Sequence, residues 1–271
     1  MESAAPNGLR RSTEPVLSDL MAEAAQDASA RRALHSCAEV EAAATARESP
    51  IDALDALRPA DRVKIIAEIK RASPSRGVLA EIADPAALAV SYQTGGASAI
   101  SVLTDERNFG GSLADLVAVR ESVTLPVLRK DFISQPYQVL EARAAGADLV
   151  LLIVAALDQA TLAELHALTT ELGMNALLET HSGDEIDRAL QVGAGIVGVN
   201  ARNLNTFELD QDLFASLADR IPAGVIRVAE SAVKSAEDVA HYRRAGADVV
   251  LVGEALVTGD PVQTLAEFLA V

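Results

Sequence analysis

The feature that most constrains this chain is a phrase that occurs four times. "GGASAISVL" around Gly96 recurs as "AGADLVLLI" around Gly146, "VGAGIVGVN" around Gly193 and "AGADVVLVG" around Gly246, at intervals of 50, 47 and 53 residues. Each phrase reads as a helix end, a Gly-Ala turn and a buried strand, so each interval holds two strand–helix units. The chain carries eight short apolar, β-branched runs: "KIIAEIK" from Lys64, "SAISVLT" from Ser98, "PVLRKDF" from Pro126, "DLVLLIV" from Asp148, "NALLET" from Asn175, "GIVGVN" from Gly195, "IRVAES" from Ile226 and "DVVLVG" from Asp248. They are continuously apolar rather than alternating, the pattern of parallel strands whose outer faces are covered by helices. Between them lie Ala/Leu-rich stretches such as "PYQVLEARAAG" and "SAEDVAHYRRAG", with charges at helical spacing and a closing glycine. Eight alternating units fit a closed (βα)8 TIM barrel better than a doubly wound sheet with its switch point.

The 271 residues suit a single α/β barrel domain over 1–271, with 1–60 as a helical extension and 64–271 as the barrel proper. "VLSDLMAEAAQDASARRALHS" predicts a helix with an apolar stripe from Val16, Leu17, Leu20, Met21 and Ala24, and a second short helix is expected over Ile51 to Leu57. A formal charge of −16 argues against a nucleic-acid partner and against adhesion to an anionic membrane. It leaves a small anionic substrate open, because a few cations and backbone N–H groups suffice for one. The single cysteine, Cys37, excludes an intramolecular disulfide and any multi-cysteine metal site, and fits a reducing, cytoplasmic location. "MESAAPNGLRRSTEPV" lacks the apolar core of a signal peptide, and no uninterrupted apolar run is long enough to span a membrane.

In such a barrel the site is built at the C-terminal ends of the strands. Polar residues collect there: Glu68, Lys70 and then Ser73 after the first strand, "RKDF" (Arg129 to Phe132) at the third, Glu179 and Thr180 at the fifth, Asn200 and Arg202 at the sixth, Glu230 and Ser231 at the seventh, Gly253 and Glu254 at the eighth. Strand side chains alternate, so Glu68 shares a face with Lys70, Lys130 with Phe132, and Asn200 with Arg202. One such pair alone reads equally well as a salt bridge closing the barrel end. Several together describe an acid–base site in which carboxylates and lysines shift one another's pKa values. Of His35, His166, His181 and His241 only His181 follows a strand end, and no dinucleotide or P-loop motif is present. A phosphate site is expected after strands seven and eight, from "AESAVKSAED" with Ser231 and from "VGEAL" with Gly253. Glu254 is expected to contribute its backbone there while its side chain turns away.

"AEIKRASPSRG", "SVLTDERNFGGS", "PVLRKDFI", "GVNARNL" and "GADVVLVGEALV" together resemble the indole-3-glycerol-phosphate synthase family, over about Val16 to Val271. The resemblance implies a phosphorylated small-molecule substrate, no metal and no organic cofactor. It implies catalytic roles for Glu68 (general base), Lys70 (carboxylate binding), Lys130 (general acid), Glu179 (charge stabilisation) and Asn200 (orientation). It further implies substrate contacts from Ser73, Phe109, Phe132, Arg202, Ser231, Ala232, Gly253 and Glu254, and an N-terminal helix over the barrel mouth. A monomer is expected, with contacts to other tryptophan-pathway enzymes left open, and "DFISQPY" after Lys130 reads as a mobile loop. Two positions depart from the family pattern: Thr180 stands where valine is usual, with its side chain expected to face away, and Ala232 replaces the glycine of E-S-G. Other readings are the neighbouring phosphosugar isomerase, which carries a cysteine where this chain has Glu68, a Schiff-base aldolase, and a barrel without activity.

Overall fold

The computed structural model describes residues 17–74 and 76–271; Val16, the start of the expected apolar stripe, lies outside them. Eight strands close into a parallel barrel: β1 (Lys64–Ile69), β2 (Ala99–Leu103), β3 (Val127–Lys130), β4 (Leu149–Ile153), β5 (Asn175–Thr180), β6 (Ile196–Asn200), β7 (Ile226–Glu230) and β8 (Val249–Val252). β1 closes the ring on β8 through Lys64↔Val249 to Ala67↔Val252, and pairs with β2 up to Glu68↔Ser101 and Ile69↔Val102. Every apolar run singled out above forms one of these strands.

The recurring phrase has a local cause. Gly96, Gly146, Gly193 and Gly246 all take positive φ, from 85° to 96°, a conformation that a side chain resists. In each case the following alanine N–H reaches back into the preceding helix: Ala97 to Tyr92 O, Ala147 to Ala142 O, Ala194 to Ala189 O and Ala247 to Tyr242 O. This is a Schellman closure, and it turns the chain straight into the next strand.

Two apolar layers follow from the strand alternation. The outer one fills the space between strands and helices, with residues such as Ile65, Ile100, Val150 and Val250. The inner one fills the barrel with Ile66, Leu128, Leu149, Leu177, Ile196 and Leu251. Ala53 and Leu57, in the expected short helix (Ala53–Leu57), join the inner layer. They enter from the N-terminal end of the barrel, where Ile51 and Ala53 donate to the side chains of Asp148 and Asn175. At the opposite end lies the helix Leu17–Leu34, whose Leu17, Leu20 and Ala24 cap the same layer.

A separate helix, Cys37–Ala46, was not anticipated. Its signal is "SCAE": Ser36 caps the Glu39 N–H while the Glu39 carboxylate accepts from the Ser36 N–H at 2.7 Å. Cys37 is therefore the first residue of a capped helix. Among the described residues no helix is long and apolar enough to cross a membrane.

Candidate active site

All thirteen residues proposed from the sequence line one cavity at the C-terminal mouth of the barrel. Period two explains the convergence: on β3 Leu128 and Lys130 face inward, whereas Arg129 points outward and is fully buried against Asp131, at 2.8 Å, and the Gln138 carbonyl, also at 2.8 Å. Arg129 thus belongs to the wall and not to the site.

Lys130 stands at the centre. Its Nζ lies 3.6 Å from Glu179 Oε2, 3.6 Å from Glu230 Oε2 and 3.9 Å from Glu68 Oε2. Glu68 in turn binds Lys70 Nζ at 2.8 Å. Burial works against the charge on Lys130, but Glu179, Glu230 and Glu68 outweigh it and hold the ammonium above the usual lysine value. Burial likewise opposes the charge on Glu68, and Lys70 and Lys130 overcome it, keeping that carboxyl below its usual range. Glu230 goes the other way: burial and then neighbouring Glu179 push it well above the ordinary carboxylate range, against the pull of Lys130.

Glu230 is the group whose weight sequence reasoning missed. It was visible as a polar strand end, but its importance comes from β6, where an added Cβ at Gly198 would stand 2.1 Å from Glu230 Oε1. Gly198 is the space the carboxylate occupies. Gly253 does the same for Glu68, since a Cβ there would approach Glu68 Oε1 to 2.7 Å. Because the folded protein holds the Glu230 proton more tightly than the unfolded chain does, Glu230 lowers stability as pH rises from the ordinary carboxylate value through its raised one. Glu230→Gln is therefore expected to flatten the fall in Tm as pH rises above the ordinary carboxylate value of 4.5; thermal unfolding across a pH series checks it, and parallel curves for both proteins would refute it.

The apolar wall is formed by Phe109 and Phe132, with ring centroids 6.1 Å apart and tilted by 42°. Leu20 of the N-terminal helix completes it. That helix is tied to the loops behind both rings: Glu23 accepts from Asn108 at 3.1 Å, Asp27 pairs with Arg107, and the Ala25 carbonyl accepts from Gln135 at 3.2 Å. The segment after Lys130, read from the sequence as a mobile loop, is tied down at its start in this structure. Phe132 and Ile133 are buried, and Gln138 clamps the turn by accepting from the Ser134 N–H and donating to the Phe132 carbonyl.

On the other side of the mouth Ser231 Oγ donates to Asn200 Oδ1 at 2.7 Å, and the same oxygen accepts from the Arg202 N–H. Arg202 also donates to the Phe207 carbonyl at 3.1 Å. Ser73 lies in a two-stranded hairpin, Ala72–Ser73 with Gly77–Val78, which leads Arg76 to the rim. Glu254 does not turn away: its carboxylate stays at the cavity edge, paired with Arg76 Nη1 at 2.8 Å. Arg76 and Lys234 were not foreseen, because no spacing rule connects a hairpin tip with a loop more than a hundred residues away. Thr180 faces outward as expected and donates to the Gly198 carbonyl. His181 stands behind Glu179, 3.7 Å from its Oε1 and 3.3 Å from Glu185 Oε2.

Ala232 has φ 59° and Ser231 φ 71°. The position occupied by Ala232 does require a left-handed backbone, at a cost of about 1–2 kcal/mol for a residue with a Cβ.

A lysine ringed by acidic side chains inside a (βα)8 barrel, with an aromatic wall on one side and a left-handed turn on the other, places the chain in the class of barrel proteins with a polar pocket at the C-terminal mouth. Within that class the sequence is decisive: a family model described as indole-3-glycerol phosphate synthase matches residues 17–268, and the chain belongs to that family. It is 70% identical over 253 residues to the indole-3-glycerol phosphate synthase of Leifsonia xyli subsp. xyli, covering 93% of this chain and 97% of that one. It is 56% identical over 253 residues to the enzyme of the same name from Mycolicibacterium gilvum, covering 93% of each. Among solved structures, N-acetylmannosamine-6-phosphate 2-epimerase from Clostridium perfringens shares the fold at a TM-score of 0.62 and 14% identity, over 79% of this chain and 94% of that one.

Proposed function

We propose that the protein converts 1-(2-carboxyphenylamino)-1-deoxyribulose 5-phosphate into indole-3-glycerol phosphate, releasing carbon dioxide and water without metal or organic cofactor. The observation that carries this reading is the placement of Lys130 among Glu68, Glu179 and Glu230, beside the Phe109–Phe132 wall. Ring closure joins the carboxylate-bearing ring carbon to the substrate's ketone carbon. Lys130 gives its proton to the ketone oxygen as positive charge develops on the amine nitrogen. Glu179 lies 3.6 Å from Lys130, so the nascent cation draws on a carboxylate that otherwise holds the lysine's proton, with Glu230 beside it. The charge that forms weakens the lysine's grip at the moment of transfer.

Loss of carbon dioxide restores the aromatic ring. Dehydration then needs a base for the remaining proton and an acid for the departing hydroxyl. Glu68 is ionised and fills the first role. Lys70 binds it at 2.8 Å, which makes it a weak base. Lys70 is also the cation at hand to protonate the departing hydroxyl, and in giving up that proton it loosens its hold on Glu68 as the base acts. Asn200 and Arg202 orient the sugar, while Ser73, Ser231 and the backbone at Ala232, Gly253 and Glu254 receive the phosphate. Arg76 and Lys234 add positive charge at that rim.

Incubation with this substrate while following indole fluorescence tests the reading, and absence of turnover would refute it. At the phosphate end, Ala232→Gly removes the strained Cβ and is expected to lower KM about fivefold, the equivalent of about 1 kcal/mol. Equal KM values for the two proteins would show that the alanine costs the anion nothing.

A further inference from the structure

The turn after β7 is held from behind by two side chains outside the site. Among the described residues only Phe207, Ser231 and Ala232 are non-glycine residues with positive φ, and all three line the cavity. Backbone strain of this kind persists only where the surroundings over-determine it. Here the two carbonyls of the turn are anchored. The Ser231 carbonyl accepts from the Tyr242 hydroxyl at 3.3 Å, and the Ala232 carbonyl accepts from Gln211 Nε2 at 3.2 Å. In a trans peptide the N–H points opposite to the carbonyl. Anchoring these two carbonyls therefore fixes the Ala232 and Val233 N–H groups in the opposite direction.

Both residues line the cavity and are buried, and among the described residues neither N–H meets an acceptor. Two adjacent backbone donors that line the cavity and are not engaged by the described protein groups are suited to an anion bound there. Resting on the functional reading above, we propose that Tyr242 and Gln211 are positioning residues for the substrate's phosphate, holding the Ser231–Ala232 turn so that the Ala232 and Val233 N–H groups are presented to it. Tyr242 is suited to this. It is 1% exposed and packs edge-on against Phe214 at 5.8 Å. Its hydroxyl, pushed up to about 12 by burial and by the nearby Asp238, Asp210 and Asp212 carboxylates, stays protonated as a donor. Gln211 is held in place by Asp238, which accepts a second, longer contact of 3.4 Å from its amide.

Tyr242→Phe keeps the ring and removes only the hydroxyl; Gln211→Ala removes the second anchor. Each is expected to raise KM, and the inhibition constant of inorganic phosphate, about fivefold, as for one ordinary hydrogen bond, with kcat within twofold of the wild type. Adding Ala232→Gly to Tyr242→Phe is expected to restore KM to the Ala232→Gly value, because glycine adopts the turn without an anchor. A purely structural tyrosine would lower Tm and leave this KM-against-kcat split absent. Unchanged KM and phosphate inhibition in both single variants would overturn the proposal, as would loss of kcat with KM preserved. Calorimetric titration of inorganic phosphate separates this inference from the reaction assigned above. If the wild type binds phosphate and Tyr242→Phe binds it more weakly, the anchoring stands even where the carboxyphenylamino substrate is not turned over. If the two bind alike, or neither binds, it falls.

Discussion

Replacing Lys130 by alanine is expected to lower kcat about 10³-fold, with carbon dioxide release and indole formation falling together. In the proposed reaction the lysine acts at ring closure, and nothing downstream proceeds without that step. Alanine also leaves Glu68, Glu179 and Glu230 without the cation that sits within 4 Å of each, so the variant is expected to lose stability as well. Lys130→Arg separates the two effects. It keeps a positive charge among the carboxylates, but a guanidinium does not surrender its proton in a protein. Arginine is therefore expected to recover stability and not turnover. Turnover within tenfold of the wild type in either variant would remove Lys130 from the role of general acid.

The same surroundings bear on the Schiff-base alternative. An imine-forming lysine works as a neutral amine and is activated by a depressed pKa. Lys130 is shifted upward by its three carboxylates. Borohydride added with substrate is accordingly expected to leave the enzyme active.

Glu68→Gln is expected to lower indole formation about 10²- to 10³-fold, through loss of the base proposed to complete dehydration. The amide keeps the shape of the side chain and its neighbour Lys70, so the cavity is preserved. The informative comparison is within one turnover. With a substrate labelled in its carboxylate, Glu68→Gln is expected to release carbon dioxide faster than it forms indole, because ring closure and decarboxylation precede the blocked step. Equal slowing of both signals would place Glu68 in ring closure and require a different base.

Much of this arrangement was legible before any coordinates. Glu68 and Lys70, Lys130 and Phe132, Asn200 and Arg202 each share a face because strand side chains alternate, and the cavity contains all six. Strand identity was equally local, since a short continuous apolar run between capped helices admits few other readings. The misses have a different character. The helix Cys37–Ala46 was announced by its capping box, a signal that was present and overlooked. Gln138 pins the segment after Lys130 through two hydrogen bonds made one helical turn into the following helix, which composition does not reveal. The Glu254 carboxylate stays at the rim because Arg76 reaches it from a hairpin on the far side of the ring.

By itself the sequence determined the eight-fold succession of strands and helices, the end of the barrel at which polar groups gather and the types of group gathered there. All of these depend on spacing along the chain, and glycine turns with positive φ at Gly96, Gly146, Gly193 and Gly246 repeat one solution four times. The tertiary structure alone decided the acidities within the cluster. Lys130 and Glu230 are held above their ordinary values and Glu68 below its own because side chains from strands far apart in sequence meet at 3.6–3.9 Å, within space left by Gly198 and Gly253. Coulomb energies and burial depend on separation in space, and the chain encodes that separation only once the ring has closed.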